Sequence, residues 1–238
     1  FSMIIWKNET LLLNTKDYKL NFGILNFDDY RSATEKIIKS ESFSFNDSYT
    51  YRPNTYQGYN TTIEILIRDS KRKQFLRALR EGNRLSLPKE ENVYREYYID
   101  GEVKTTYYSE GYSKLAIPVY FNAFKYSTSK KVFTFQKGLI NTIYNEGDVY
   151  AEPVYTIRGN GNLIFSVNGT VHTLRNAQGG YIVNCKNKEQ NITDLSGISK
   201  NVTSEYNGNF PTLEDGANRI QLISGDSLEM KVNWRWID

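Results

Sequence analysis

The chain has 238 residues, 30 basic and 27 acidic, for a net charge of +3, with 39% hydrophobic and 14% aromatic residues. So weak a mean field excludes bulk attraction to nucleic acid or membrane, and so aromatic a composition excludes a disordered chain and leans towards sheet. One cysteine, Cys185, excludes an intramolecular disulfide.

No apolar run approaches the ~20 residues that a membrane helix needs. Met3-Ile-Ile-Trp6 is too short for a secretory signal, so cytosolic synthesis is expected; Phe1-Ser2 resembles the scar of a cleaved tag and is set aside. The length suits two domains of roughly 100 residues or a little more.

In chain order, Ile4, Trp6 and Leu11-Leu12-Leu13 around Asn8-Glu9 predict a short hairpin. Strands are expected over 20–27 and 37–46, a long Tyr-rich loop over 49–59, and a strand over 60–68. The spacing predicts one helix over 70–81. Asp69 is its expected N-cap, Phe75, Leu76 and Leu79 its apolar stripe, and Gly82 its left-handed C-cap. A short strand over 84–87 stops at Pro88. The segments 93–99 and 102–108, joined at Asp100-Gly101, predict a hairpin with a type I′ turn. A long strand follows over 112–125, with Pro118 marking an edge or bulge.

The stretch 144–168 divides the chain. Gly147-Asp148 allows a tight turn, glycine taking positive φ freely, and Pro153 belongs at a strand start. The runs 154–158 and 163–167 flank Gly159-Asn-Gly-Asn162 and predict a hairpin. Further short strands separated by Gly/Asn turns predict an antiparallel sandwich. The fold class expected is mainly β: an N-terminal β-sandwich with one helix over 1–140, and a second β-sandwich over 141–238 to which the last strand belongs unless it returns to the first.

No catalytic group, cofactor or metal site is expected. His172 lies in a short apolar alternation and reads as an edge-strand histidine. Cys185 reads as a small buried hydrophobe. One His and one Cys do not make a zinc site. The acidic pairs Asp28-Asp29, Glu90-Glu91 and Glu214-Asp215 point to opposite strand faces, and turn chemistry explains two of them. Lys71, Arg72, Lys73, Arg77, Arg80 and Arg84 form one charge-asymmetric patch, either a solvated helix face or the lining of a passage for nucleic acid. The paired tyrosines serve either as sugar platforms or in cores and subunit contacts. Packing and contact are favoured, with Tyr51, Tyr56, Tyr59, Tyr97 and Tyr107 as oligomer-contact candidates. A carbohydrate-binding reading would use Tyr155, Phe165, Tyr181, Tyr206, Trp234 and Trp236 in the second domain.

The run Tyr181-Ile-Val-Asn-Cys185, the loop Gly208-Asn-Phe-Pro-Thr-Leu213 and the turn Asp215-Gly-Ala-Asn-Arg-Ile220 resemble the distal tail protein (Dit) family of siphophages. Upstream, Gly138, Gly147-Asp148 and Ala151-Glu-Pro153 are similar to that family's opening of its second domain. In these positions Phe210 would plug a gap between sheets and Pro211 stiffen the loop. Gly216 would supply positive φ, and Asn218 would bond its own turn.

The resemblance implies a non-enzymatic virion protein at the tail tip, assembled in the host cytoplasm. Its first domain would carry an extended arm or belt, and its second would be galectin-like. Six copies would close into a ring, by strand addition through 49–59 or 93–108. The ring would contact the major tail protein on one side and a tail-associated lysin or a tail fibre or receptor-binding protein on the other. DNA would pass non-specifically through the channel, lined by Lys73, Arg77, Arg80 and Arg84, with no membrane partner.

Overall fold

The protein is described by a computed structural model over residues 3–18, 22–27, 34–35, 38–41, 48–51, 56–88, 90, 92–187, 189–198 and 205–237, with the backbone alone given within 17–55. It divides into two compact units, one of residues 1–128 with 237–238 and one of residues 129–236. The division expected at 140/141 differs from the observed one at Ser129 because two strands left unassigned in the sequence, over 131–135 and 140–145, pair into the second unit.

In the first unit β1 (Ile4–Lys7) and β2 (Thr10–Asn14) form the expected hairpin, with Asn8 in the left-handed region at φ 55°. β3 (Phe22–Phe27) follows. Then β4 (Thr34–Glu35), β5 (Ile38–Glu41), β6 (Ser48–Tyr51) and β7 (Tyr56–Gln57) pair as β4–β7 and β5–β6. This nesting is that of an arm that runs out and returns, so the expected loop at 49–59 contains two short strands. Residues 37 and 42–46 of the expected 37–46 strand lie outside the described residues.

β8 (Tyr59–Arg68) leads directly into α1 (Asp69–Glu81). Asp69 is the first helical residue rather than the cap: its backbone N–H donates to Gly111 and its carboxylate accepts from Ser113. Phe75, Ala78 and Leu79 are the buried stripe. The helix packs against β1, β2, β8 and β12 (Tyr112–Ser127). The remaining strands of this unit are β9 (Arg84–Ser86), β10 (Val93–Ile99) and β11 (Lys104–Ser109). The sheet runs β2-β1-β9-β10-β12-β8-β3, with β11 also on β12. Because β9 and β10 separate the strands the helix touches, the sheet curls round it.

β10 and β11 do not form a hairpin. Both pair antiparallel with β12, β10 along Val119–Ser127 and β11 along Tyr112–Ala116. They are one broken strand on the same edge of β12. The carbonyl of Pro118 accepts from Asp100 N–H at 3.0 Å, so the proline's missing N–H faces the break. The hairpin turn is at Glu110-Gly111, where Gly111 takes φ 74°.

Arg95 and Lys125 lie directly opposite on β10 and β12, both buried, and like charges so placed repel. Glu90 resolves the conflict, accepting from Arg95 and, at 2.7 Å, from Lys125. It is a partly buried counter-ion whose backbone also closes a turn, donating to Leu87 and accepting from Val93.

The second unit is a two-sheet sandwich. Its strands are β13 (Lys131–Phe135), β14 (Ile140–Asn145), β15 (Val154–Arg158), β16 (Gly161–Val167) and β17 (Thr170–Ala177). They continue with β18 (Gly180–Asn184), β19 (Asn191–Asp194), β20 (Tyr206–Asn207), β21 (Gly216–Ser224) and β22 (Ser227–Val232). The two five-stranded sheets run β13-β22-β15-β18-β19 and β14-β21-β16-β17-β20. The hairpin expected from 154–167 is therefore absent: β15 and β16 lie in different sheets, and the turn at Gly159 carries the chain across the sandwich. Tyr155, Ile157 and Met230 from one sheet meet Leu163, Phe165 and Leu222 from the other, each fully buried. Burial of each such side chain stabilises by about 1.5–3 kcal/mol.

Gly82 and Gly147 are needed for space rather than for φ. Gly82 is extended, at φ −76°, and a Cβ there would meet Ile5 Cγ2 at 2.5 Å and the Tyr97 hydroxyl at 2.8 Å. Gly147, expected at positive φ, is not in that region, and its Cβ would meet the Arg235 carbonyl oxygen at 2.1 Å. Gly82→Ala is accordingly expected to destabilise the protein by about 1–3 kcal/mol through overpacking, measured by chemical denaturation. A neutral or stabilising result would place the cost in conformation and contradict this reading.

Candidate assembly surfaces

Every residue of β11 is exposed. Thr105 and Tyr107 stand opposite Leu115 and Ser113, which are buried, so they lie on the core-side face of the sheet but beyond the helix that covers it. Tyr107 is 75% exposed there. On the other face Tyr98 is 53% exposed and stacks on Tyr120 at 4.9 Å.

The remaining tyrosine candidates are placed differently. Tyr97 is buried, donating its hydroxyl to the Leu79 carbonyl at 2.6 Å, and so is a core latch rather than a contact residue. Burial pushes its phenol up. Tyr56 is half-buried, edge-on to Phe124 at 5.4 Å, and Tyr59 lies 5.8 Å from Phe121. Tyr51 falls in β6, where the side chains lie outside the described residues. The paired tyrosines weighed for packing or contact also include Tyr98 and Tyr108, both more than half exposed. Strand parity was the available signal for Tyr98, because burying Tyr97 turns Tyr98 outward.

Lys73, Arg77 and Arg80 are exposed and share one helix face at i, i+4 and i+7. Arg77 holds Glu81 at 2.8 Å. Arg84 is not part of this patch. Leu85 beside it enters the core, so Arg84 points to the opposite sheet face, with its guanidinium 4.7 Å over the Tyr94 ring. The bases Lys71-Arg72-Lys73 sit at the positive end of the helix dipole, an unfavourable position by about 0.3–1 kcal/mol each. Arg72 offsets this by pairing with Asp69 at 3.8 Å and donating to the Ser113 hydroxyl at 3.2 Å.

In the second unit the loop residues are structural. Gly216 takes φ 78°. Asn218 is fully buried; its amide oxygen accepts from Glu214 N–H at 2.8 Å, and its amide nitrogen donates to the carbonyls of Glu214 and Gly216. Asn168 ties this turn to the next strand by donating to Asn218. Phe210 packs against the core and Pro211 is buried. Pro153 is buried, and its carbonyl accepts from Cys185 N–H. Asp148 N–H donates to the Arg235 carbonyl. The Arg235 side chain is buried, pairing with Glu152 at 3.2 Å and covering the Tyr150 ring at 4.3 Å.

The aromatic groups that a sugar platform would need are internal. Tyr155, Phe165, Tyr181 and Trp234 are buried, and Tyr206 and Trp236 are partly buried against the core. Burial pushes the Cys185 thiol up, away from the thiolate that reactivity needs. Among the described residues no three His, Cys, Asp or Glu side chains gather as a metal site would require, and no helix is long and apolar enough to cross a membrane.

His172 is buried between Phe165 and Tyr206, not at a surface edge. The Tyr206 hydroxyl donates to the Asn209 carbonyl at 2.6 Å, so it accepts from His172 Nδ1, at 3.1 Å. Nε2 then carries a buried lone pair with no partner among the described residues. Burial lowers the histidine's pKa, because a second ring N–H would have no acceptor.

The described chain is a mainly β protein of two compact units. No family model matches the sequence, and neither does any curated protein. The fold does match a solved structure. It is similar to the SPP1 Dit (gp 19.1) protein, described as a paradigm of the hub adsorption apparatus in phages infecting Gram-positive bacteria. The TM-score is 0.69 over 99% of each chain, at 8% sequence identity. The chain thus has the fold of that distal tail protein.

The histidine's depressed pKa fixes the sign of a pH effect. Its stabilising contribution is complete above the ordinary value of 6.5 and is lost as pH falls through the lower folded value. The midpoint of unfolding should drop between pH 7 and pH 5 more steeply in the parent than in His172→Gln. Parallel pH profiles would contradict the assignment.

Proposed function

We propose that this protein is a structural component of a phage tail tip, a distal tail hub that joins the tail tube to the adsorption apparatus. The observation that carries this reading is the fold shared along the whole chain with the SPP1 Dit protein. It is supported by what the chain offers a partner: area rather than a reactive group. We further propose that it is not an enzyme, that it acts as a virion protein after assembly in the host cytoplasm, and that six copies close a ring.

Ring closure is heterologous, so one face of each copy meets a different face of the next. The uncovered strip at Thr105 and Tyr107 suits such a contact, since it extends an apolar sheet face beyond its own helix. Lys73, Arg77 and Arg80 would line the passage. Three exposed bases on one helix face would attract phosphate without regard to sequence. The major tail protein would meet one side of the ring, and a tail-associated lysin, fibre or receptor-binding protein the other. The carbohydrate-binding reading loses support, because its aromatic side chains are in the core.

An antibody against the chain, applied to purified virions in the electron microscope, should label the tail tip. Virions without the chain, or label along the tail tube or head, would contradict the proposal. Tyr107→Lys should prevent the ring while leaving the unfolding free energy within about 0.5 kcal/mol of the parent. Rings that form normally in the Tyr107→Lys variant would remove the strip from the interface.

A further inference from the structure

β14 is an edge strand of an unusual kind. Among the described strands it pairs with β21 alone, in unbroken register from Ile140↔Gln221 to Asn145↔Gly216. Its sequence, Ile-Asn-Thr-Ile-Tyr-Asn, has no charge, no proline and no bulge. Edges of this kind attract other strands, and proteins normally blunt them. The other edges of the sandwich are blunted: β13 begins at Lys131, β19 is four residues long and ends at Asp194, and β20 has two residues. On the outward face of β14, Ile140 is 66% exposed and Tyr144 69%. Tyr144 is the most exposed aromatic side chain of its unit, and Leu139 beside the strand is 55% exposed.

We propose that β14 pairs antiparallel with β14 of a second copy of this chain, about a twofold axis at Thr142. The strand's own order selects this occupant. Two copies aligned with Thr142 opposite Thr142 bring Ile140 of each against Tyr144 of the other, twice, an aromatic–β-branched pairing favoured across strands. The uncharged middle brings no like charges together. Lys137 precedes the strand and Glu146 follows it, both exposed, so the same axis brings the basic end of each copy to the acidic end of the other. Glu146 already meets Lys131 at 3.5 Å and remains more than half exposed in that contact. The contact is isologous, whereas ring closure is heterologous, so the two surfaces are separate and their tests fail separately.

A cysteine at the axis tests the geometry. Opposite residues of an antiparallel pair have Cα atoms about 4.5–5.5 Å apart, within disulfide range. The native thiol, Cys185, is buried and does not compete. In the full-length chain under mild oxidation, Thr142→Cys should form a disulfide dimer at least about tenfold faster than Arg219→Cys. Arg219 is the exposed residue opposite Thr142 on β21, and its Cα would lie about 14 Å from its symmetry mate. Adding Tyr144→Lys to Thr142→Cys should return the rate to that of the control with the far-ultraviolet circular dichroism unchanged. A Thr142→Cys chain that cross-links no faster than Arg219→Cys overturns the proposal, as does a rate indifferent to Tyr144→Lys.

Discussion

The first unit depends on strand β12. Its sixteen residues carry β8 along one edge and β10 followed by β11 along the other. Ser113, Leu115, Ile117, Val119 and Phe121 alternate into the core, and the last four are wholly buried. At about 1.5–3 kcal/mol each, those four hold the sheet against the helix. Pro118 interrupts one edge at its midpoint, and that interruption divides the neighbouring strand in two. The first half, β10, lies under the helix and joins the core through Tyr97. The second half, β11, projects past it and is exposed on both faces. A single missing N–H thus separates the part of the strand that stabilises the fold from the part that is available to a partner.

Charge is divided in the same way. Where ionic groups are buried they are matched, Glu90 between Arg95 and Lys125 in the first unit and Glu152 with Arg235 in the second. Removing one member of such a set leaves an uncompensated buried charge, a loss of about 3–5 kcal/mol. The helix bases Lys73, Arg77 and Arg80 belong to no buried set, and the Arg77–Glu81 contact lies at the surface. Exposed pairs of that kind contribute little to stability. The buried ions therefore serve the fold, and the exposed bases are available to an encounter.

Much of this was legible in the sequence. Alternation located most of the longer strands but not those over 131–135 and 140–145, and the 3.6-residue pattern located the helix to within one residue. Pairing was less legible. Gly159 and Asp100-Gly101 read as hairpin turns, but a turn signal states that the chain bends and not which sheet it enters next. β15 and β16 show the same inward alternation whether they share a sheet or face each other across a sandwich. Gly82 and Gly147 were recognised as necessary for the wrong reason, because a close approach by Ile5 or by the Arg235 carbonyl involves residues far away in sequence. Among the site candidates, Lys73, Arg77 and Arg80 followed from helical spacing. Arg84 and Tyr97 did not, since strand parity decides their direction and requires a known core face. The edge character of β14 was invisible until its partner strand was known.

The account's central claim is that this chain works as one of several copies presenting surface to its neighbours. Native mass measurement of the purified chain over a range of concentrations tests that claim most directly. The account predicts a closed species of six times the 27.6 kDa chain mass. A 27.6 kDa species at every concentration, with no ring in negative stain, would contradict it.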